Sequence, residues 1–146
     1  MRTTQALTLA AAVLASGCSH QQLRRTGDRM IRVERGAEGL VEQVVEFKDA
    51  RIADCRAQDL LTAEDREACV EPAVKLVEGT EAATQALRAA LVTFWEVYPV
   101  LEAKLLNREK ITADDLADLA ARASRVASEY AALVDMIRAA REGEKP

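Results

Sequence analysis

The sequence predicts an all-α protein, an antiparallel up-down-up bundle of three long, partly kinked helices. Apolar residues recur every three or four positions along three long segments, which is the spacing of one helix face. Only six of the 146 residues are glycine and three are proline, a composition that favours helices over sheets. Two of the segments are preceded by a threonine with acids after it, which is typical of a helix start.

The first helix is predicted over about residues 22–58. Its apolar face is formed by Leu23, Thr26, Met30, Val33, Ala37, Leu40, Val44 and Phe47. Gly27, Gly36 and Gly39 each weaken a helix by about 1 kcal/mol relative to alanine. We therefore expect the early part of this helix to fray or bend.

The second helix is predicted over about residues 62–107, with the Thr62 hydroxyl as its N-cap. Its apolar face is formed by Val70, Ala73, Val77, Thr80, Thr84, Leu87, Leu91, Phe94, Tyr98, Leu101 and Leu105. Pro72 and Pro99 each remove one backbone hydrogen bond, which predicts a kink at both. Alternatively, Pro72 begins a new helix after a short one over residues 62–70.

The third helix is predicted over about residues 112–142, where Thr112 and the acids after it repeat the cap pattern. Its apolar face is the most regular of the three and is formed by Leu116, Leu119, Ala123, Val126, Tyr130, Leu133, Ile137 and Ala140. Residues 143–146 are predicted to be a polar tail. Short turns between three such helices favour a bundle.

An export signal is predicted before the helices. Arg2 is the only charged side chain before an apolar run of ten residues, Ala6 to Ala15. That run is too short to cross a hydrocarbon core of ~30 Å, so it is typical of a signal peptide. It ends in Leu14-Ala15-Ser16-Gly17-Cys18, which resembles the lipobox of bacterial lipoproteins, with Ala15 where leucine is more usual. The alternative is an ordinary signal peptide with a coincidental cysteine.

The resemblance implies that residues 1–17 are removed and that Cys18 becomes the first residue. Its sulfur would carry a diacylglyceryl group, and its amine often a third acyl chain such as palmitate. Two or more acyl chains hold a protein stably on a membrane. Ser19 after the cysteine implies, by the same resemblance, the outer membrane facing the periplasm. Residues 18–22 would then be the anchor and linker, and residues 23–142 the bundle.

Cys55 and Cys69 are the two cysteines that remain if Cys18 carries lipid. An even number of cysteines in an exported chain suggests a disulfide. Cys55 lies one turn before the predicted turn between the first two helices, and Cys69 about two turns after it. Such positions can meet in a helical hairpin, and the bond would stabilise the fold by about 3 kcal/mol. Two free buried thiols, or a metal pair in a reducing compartment, are the alternatives.

Three of the five aromatic residues, Phe94, Trp95 and Tyr98, fall within five positions of the second helix. Phe94 and Tyr98 lie on the apolar face, so packing in the core is their simplest interpretation. Trp95 lies at the edge of that face, where a half-exposed tryptophan is often an interface anchor. Trp95 and Tyr98 are therefore the candidate partner-contact residues, with the core or a helix seam as the alternative.

The charged and catalytic residue types exclude several functions. Without residues 1–17 the chain has 19 basic and 24 acidic residues, a balance that argues against a nucleic-acid partner. His20 is the only histidine, so metal sites, di-iron bundles and hydrolytic triads lack their usual ligands or base. No glycine-rich phosphate loop is present. We expect no enzyme activity, no cofactor and no small-molecule substrate.

These observations predict a lipid-anchored helical lipoprotein of the cell envelope that acts through protein–protein contact, in an envelope-structural, assembly or adaptor role. Its partners would be the membrane, through lipid on Cys18, and a protein of the envelope. One alternative is an exclusion or immunity lipoprotein of a phage, plasmid or secretion system. Another is an accessory factor for an envelope enzyme.

Overall fold

The protein is built from three α-helices. The computed structural model describes residues 20–58 and 62–142, and within these ranges there is no strand. Helix α1 runs over His20–Ala57, α2 over Ala63–Leu106 and α3 over Ala113–Glu142. The prediction of an all-α protein with three helices is confirmed, and each predicted boundary lies within two residues of the observed one.

Side-chain caps begin α2 and α3 as the sequence predicts. The Thr62 hydroxyl accepts a hydrogen bond from the backbone N–H of Asp65 at 3.1 Å. The Thr112 hydroxyl accepts one from the backbone N–H of Asp115 at the same distance. An Asp115 carboxylate oxygen in turn accepts from the Thr112 N–H at 2.9 Å. These bonds satisfy donors that the first turn of a helix otherwise leaves unpaired.

Helix α2 has 44 residues and contains both Pro72 and Pro99 in its interior. The alternative of a separate short helix before Pro72 is therefore not the observed arrangement. The helix ends at Leu106, and Arg108 then adopts a left-handed backbone conformation with φ of 56°. The amides of Asn107, Arg108 and Glu109 donate to carbonyls of the last turn, which closes the end of the helix.

The core is a continuous apolar cluster to which all three helices contribute, and each helix packs against both others. Four of the buried residues of α1 recur every seven positions, at Leu23, Met30, Ala37 and Val44. The largest fully buried side chains are Phe94, Leu87, Leu101, Leu133 and Val126. The spacing of three and four that predicted the helices therefore also identifies the faces that pack together.

Two glycines of α1 lie where tyrosines of the other helices approach it. A Cβ atom on Gly27 would lie 2.6 Å from the hydroxyl oxygen of Tyr98, and one on Gly36 would lie 2.6 Å from that of Tyr130. Gly39 has nothing within 4 Å of its Cβ position. Gly27 and Gly36 therefore have a packing role in addition to their cost to the helix, because any other residue would meet a tyrosine ring there.

Candidate protein-contact surface

The rings of the three neighbouring aromatic residues of α2 form one cluster. The ring of Trp95 lies edge-on to Phe94, with centroids 5.0 Å apart, and edge-on to Tyr98, with centroids 5.2 Å apart. Such edge-to-face pairs are favourable because the positive edge of one ring meets the negative face of the other. Phe94 is fully buried, whereas Trp95 is half-buried and packs against the core from its edge.

Tyr98 points into the bundle, where 8% of its surface remains exposed and its ring lies against Gly27. Burial raises the pKa of its hydroxyl, and the nearby carboxylates of Glu102 and Asp28 raise it further, while Arg24 lowers it. Of the two candidate contact residues, Trp95 is therefore the one whose surface a partner can reach directly. The buried Tyr98 ring packs against Trp95 from the core side.

A row of exposed apolar side chains continues from Trp95 along the outer side of α2. Val92 is 60% exposed, Val100 54% and Leu106 67%. Pro99 is also exposed and lies one turn beyond Trp95. We call Val92, Trp95, Pro99, Val100 and Leu106 the α2 outer face.

Sequence reasoning identified Trp95 but missed the three aliphatic residues of this face. The sequence contained a signal that could have identified them, because Val92, Val100 and Leu106 are apolar but lie outside the core-facing positions of α2. A helix with more apolar residues than one core face can bury presents the remainder to solvent or to a partner.

Arg122 of α3 contacts the same part of α2 at Thr93 and at Glu96, and Glu96 lies between Val92 and Val100 on the helix surface. Its Nη1 donates to the backbone carbonyl of Thr93 at 2.6 Å, and its Nε donates to Asp118 at 2.9 Å. Glu96 lies 3.5 Å from the guanidinium. These carboxylates, Asp118 first, raise the pKa of Arg122. The α2 outer face is therefore carried by a helix segment that α3 holds in place.

A second concave feature lies between α1 and α2. It is a groove of about 410 Å³ with an apolar lining that includes Val41, Val44 and Val77. Thr80 and Thr84 also line it, and their hydroxyl oxygens are buried with no hydrogen-bond partner among the described residues. Three glutamates, Gln85 and Arg88 also line the groove, so a molecule in it would meet charged and polar groups as well as aliphatic ones.

The disulfide joins Cys55 of α1 to Cys69 of α2, with Cα atoms 6.0 Å apart, so the predicted pairing is present. The Nε of Arg51 donates to the Cys69 carbonyl at 3.2 Å, which adds a polar contact beside the bond. Among the described residues no group of three or more His, Cys, Asp or Glu side chains is arranged to hold a metal ion.

The predicted lipidation site, Cys18, lies outside the described residues, as does the rest of the signal segment. Across residues 20–58 and 62–142, no helix has both the length and the apolar character needed to cross a membrane. The chain matches no family model, no curated protein and no solved structure.

Proposed function

We propose that this protein is a lipid-anchored lipoprotein of the bacterial cell envelope that binds a protein partner through the α2 outer face, in an assembly or adaptor role. The observation that carries the proposal is the exposed apolar row beside a half-buried tryptophan. Three side chains of that row are more than half exposed. Apolar side chains grouped on one face are typical of an interaction site, and tryptophan is enriched among the residues that dominate binding energy.

The proposed anchor is lipid on Cys18, which the lipobox-like residues Leu14 to Cys18 support. Helix α1 begins at His20, so a single residue separates the proposed lipid site from the first helical residue. The bundle would therefore start close to the bilayer surface. The outer membrane, facing the periplasm, is the location that Ser19 favours by resemblance.

We further propose that the helices are arranged up-down-up, with bends at Pro72 and Pro99. Contacts between ends of helices support the arrangement. Gly27 near the start of α1 meets Tyr98 near the end of α2, whereas Cys55 near the end of α1 is bonded to Cys69 near the start of α2. In this arrangement the α2 outer face lies towards the anchored end, so the partner would be contacted near the membrane.

The test is site-specific photo-crosslinking in envelopes that contain the full chain. A photoreactive phenylalanine analogue in place of Val92 or Val100 should give one discrete crosslinked species. The matched control is the same analogue in place of Val74, a 43% exposed valine on the same helix outside the proposed face. Equal crosslinking at all three positions would show non-specific collision and would contradict the proposal.

Trp95→Ala separates a role in binding from a role in folding. If Trp95 contacts the partner, the variant should lose partner capture with a smaller fall in melting temperature. A large fall in melting temperature with capture intact would assign Trp95 to the core alone. The anchor is tested separately with Cys18→Ser, which should release the protein from membranes after a high-salt wash, and by mass spectrometry of the Cys18 sulfur.

A further inference from the structure

Five arginines lie on one side of the first half of α1. They are Arg24, Arg25, Arg29, Arg32 and Arg35, all exposed, and we call them the arginine face. At roughly 100° per residue, they occupy an arc of about 140° of the helix. The centre of that arc lies opposite the buried residues Leu23, Met30 and Ala37. The arginines therefore point away from the bundle.

The arginine face is not neutralised within the described part of the protein. None of its five guanidinium groups forms a salt bridge with a described residue, although cations elsewhere do, such as Lys104 with Asp115 at 2.9 Å. Two acids, Asp28 and Glu34, lie in the same stretch and are exposed, so five arginines outnumber two acids over residues 24–35. A chain with a net charge of −4 therefore presents a concentrated positive surface at this one place.

The charge on the outer side of α1 changes sign along the helix. From residue 38 to residue 54 the exposed charges of this helix are acidic, and they are Glu38, Glu42, Glu46, Asp49 and Asp54. Glu38 lies about 21 Å beyond Arg24 along the helix at 1.5 Å per residue. The positive half is the one nearer the N-terminus, where Arg24 is the sixth residue after Cys18.

We propose that the arginine face binds the phosphate groups of an anionic phospholipid bilayer. The proposal rests on the anchor proposed above, which would hold this end of the bundle at a membrane. A guanidinium matches phosphate oxygens with two parallel hydrogen bonds. The surface potential of a bilayer acts over a Debye length of about 8–10 Å. With α1 inclined so that its arginine side faces the bilayer, the five guanidinium groups, spread over about 17 Å of the helix, approach the headgroups. The acidic half lies farther from the anchored end, which orients the bundle.

A second copy of the chain is the main competing partner, because its acidic half could lie against the arginine face in an antiparallel pair. The composition of the face disfavours this. Over residues 24–35 the only exposed large apolar side chain is that of Ile31, at 39%. Exposed ion pairs contribute little by themselves, and association must also offset lost translational and rotational freedom. A bilayer to which the proposed lipid tethers the chain does not impose that second cost.

The test is vesicle co-sedimentation of the full chain carrying Cys18→Ser, so that lipidation does not contribute. The measured quantity is the ratio of partition coefficients between phosphatidylglycerol–phosphatidylcholine vesicles and pure phosphatidylcholine vesicles. Arg25→Gln/Arg32→Gln should lower this ratio about 25-fold, at about fivefold for each arginine. The charge-matched control, Arg56→Gln/Arg138→Gln, removes two exposed arginines from other parts of the bundle and should change it less than about twofold. Salt at roughly 0.5 M should abolish the preference.

Equal losses in the two variants, or no preference for the anionic vesicles, would overturn the inference. So would a dimer in analytical ultracentrifugation that Arg25→Gln/Arg32→Gln dissociates, because the partner would then be a second copy. Melting temperatures of both variants should lie close to that of the parent, since all four arginines are exposed and the ion pair of Arg138 with Asp135 is an exposed one that contributes little. If mass spectrometry finds the native Cys18 sulfur bare while the vesicle preference holds, the anchor fails and the arginine face stands.

Discussion

A single methyl group at Gly27 tests how α1 packs against α2. A Cβ atom there would lie 2.6 Å from the hydroxyl oxygen of Tyr98, 2.7 Å from its Cζ and 3.0 Å from its Cε2. The Tyr98 ring has little freedom to retreat, because it is 8% exposed and its centroid lies 5.7 Å from Phe94 and 5.2 Å from Trp95. Gly27→Ala therefore requires the ring or the helix to move.

The expected change in the free energy of unfolding for Gly27→Ala is the sum of two opposing effects. Replacing glycine by alanine inside a helix stabilises it by about 1 kcal/mol. Overpacking a filled site costs about 1–3 kcal/mol, so Gly27→Ala should lower the free energy of unfolding by up to about 2 kcal/mol. Gly39 is the matched control, since nothing lies within 4 Å of its Cβ position. Gly39→Ala should raise the free energy of unfolding by about 1 kcal/mol.

The measurement is urea denaturation of each variant in the Cys18→Ser chain, followed by circular dichroism. Tyr98→Leu removes the ring that causes the collision, so Gly27→Ala in that background should become stabilising by about 1 kcal/mol. A collision with Tyr98 is contradicted if Gly27→Ala stabilises the protein as much as Gly39→Ala does. It is also contradicted if the loss of stability from Gly27→Ala persists in the Tyr98→Leu background.

Three further predictions concern stability. Cys55→Ser/Cys69→Ser opens a loop with a sequence separation of 14 and should lower the free energy of unfolding by about 3 kcal/mol in urea melts, whereas a loss below about 1 kcal/mol would contradict the entropic account. Hydrogen bonds from Thr112 and Lys104 lower the pKa of Asp115 to about 2. The ionised Asp115 therefore stabilises the fold fully above its unfolded pKa of about 3.9, and this contribution is lost as the pH falls towards 2. In Asp115→Asn the melting temperature should depend less on pH between these two values than it does in the parent. Thr80→Val removes a buried hydroxyl without a partner and should raise the free energy of unfolding by about 1 kcal/mol, while a loss would show that the hydroxyl is satisfied.

The helices and the disulfide could be predicted because their signals are local. Thr62 and Thr112 mark helix starts by their own hydrogen bonds to Asp65 and Asp115, which a few residues of sequence are enough to reveal. The role of Gly27 could not be predicted in this way. Its partner, Tyr98, lies on another helix, and sequence alone shows only that glycine weakens the helix that contains it.

The candidate contact surface was predicted in part for a similar reason. Trp95 was identified because it is rare and lies at the edge of the core-facing residues. Val92, Val100 and Leu106 were missed because an isolated aliphatic residue is an ordinary feature of a protein surface. Their significance comes from lying together on one face of α2 beside Trp95, which becomes clear only when burial is known.

The seam between α1 and α2 is fixed at its two ends and looser between them. Cys55 and Cys69 join one end covalently, and close packing of Tyr98 against Gly27 joins the other. Between these points the helices leave a groove of about 410 Å³, and the Thr80 and Thr84 hydroxyls beside it have no described partner. The tight end near Gly27 is the end that carries both the α2 outer face and the arginine face. A partner on the α2 outer face and a membrane at the arginine face would therefore meet neighbouring surfaces, which the contact of Tyr98 with Gly27 joins directly.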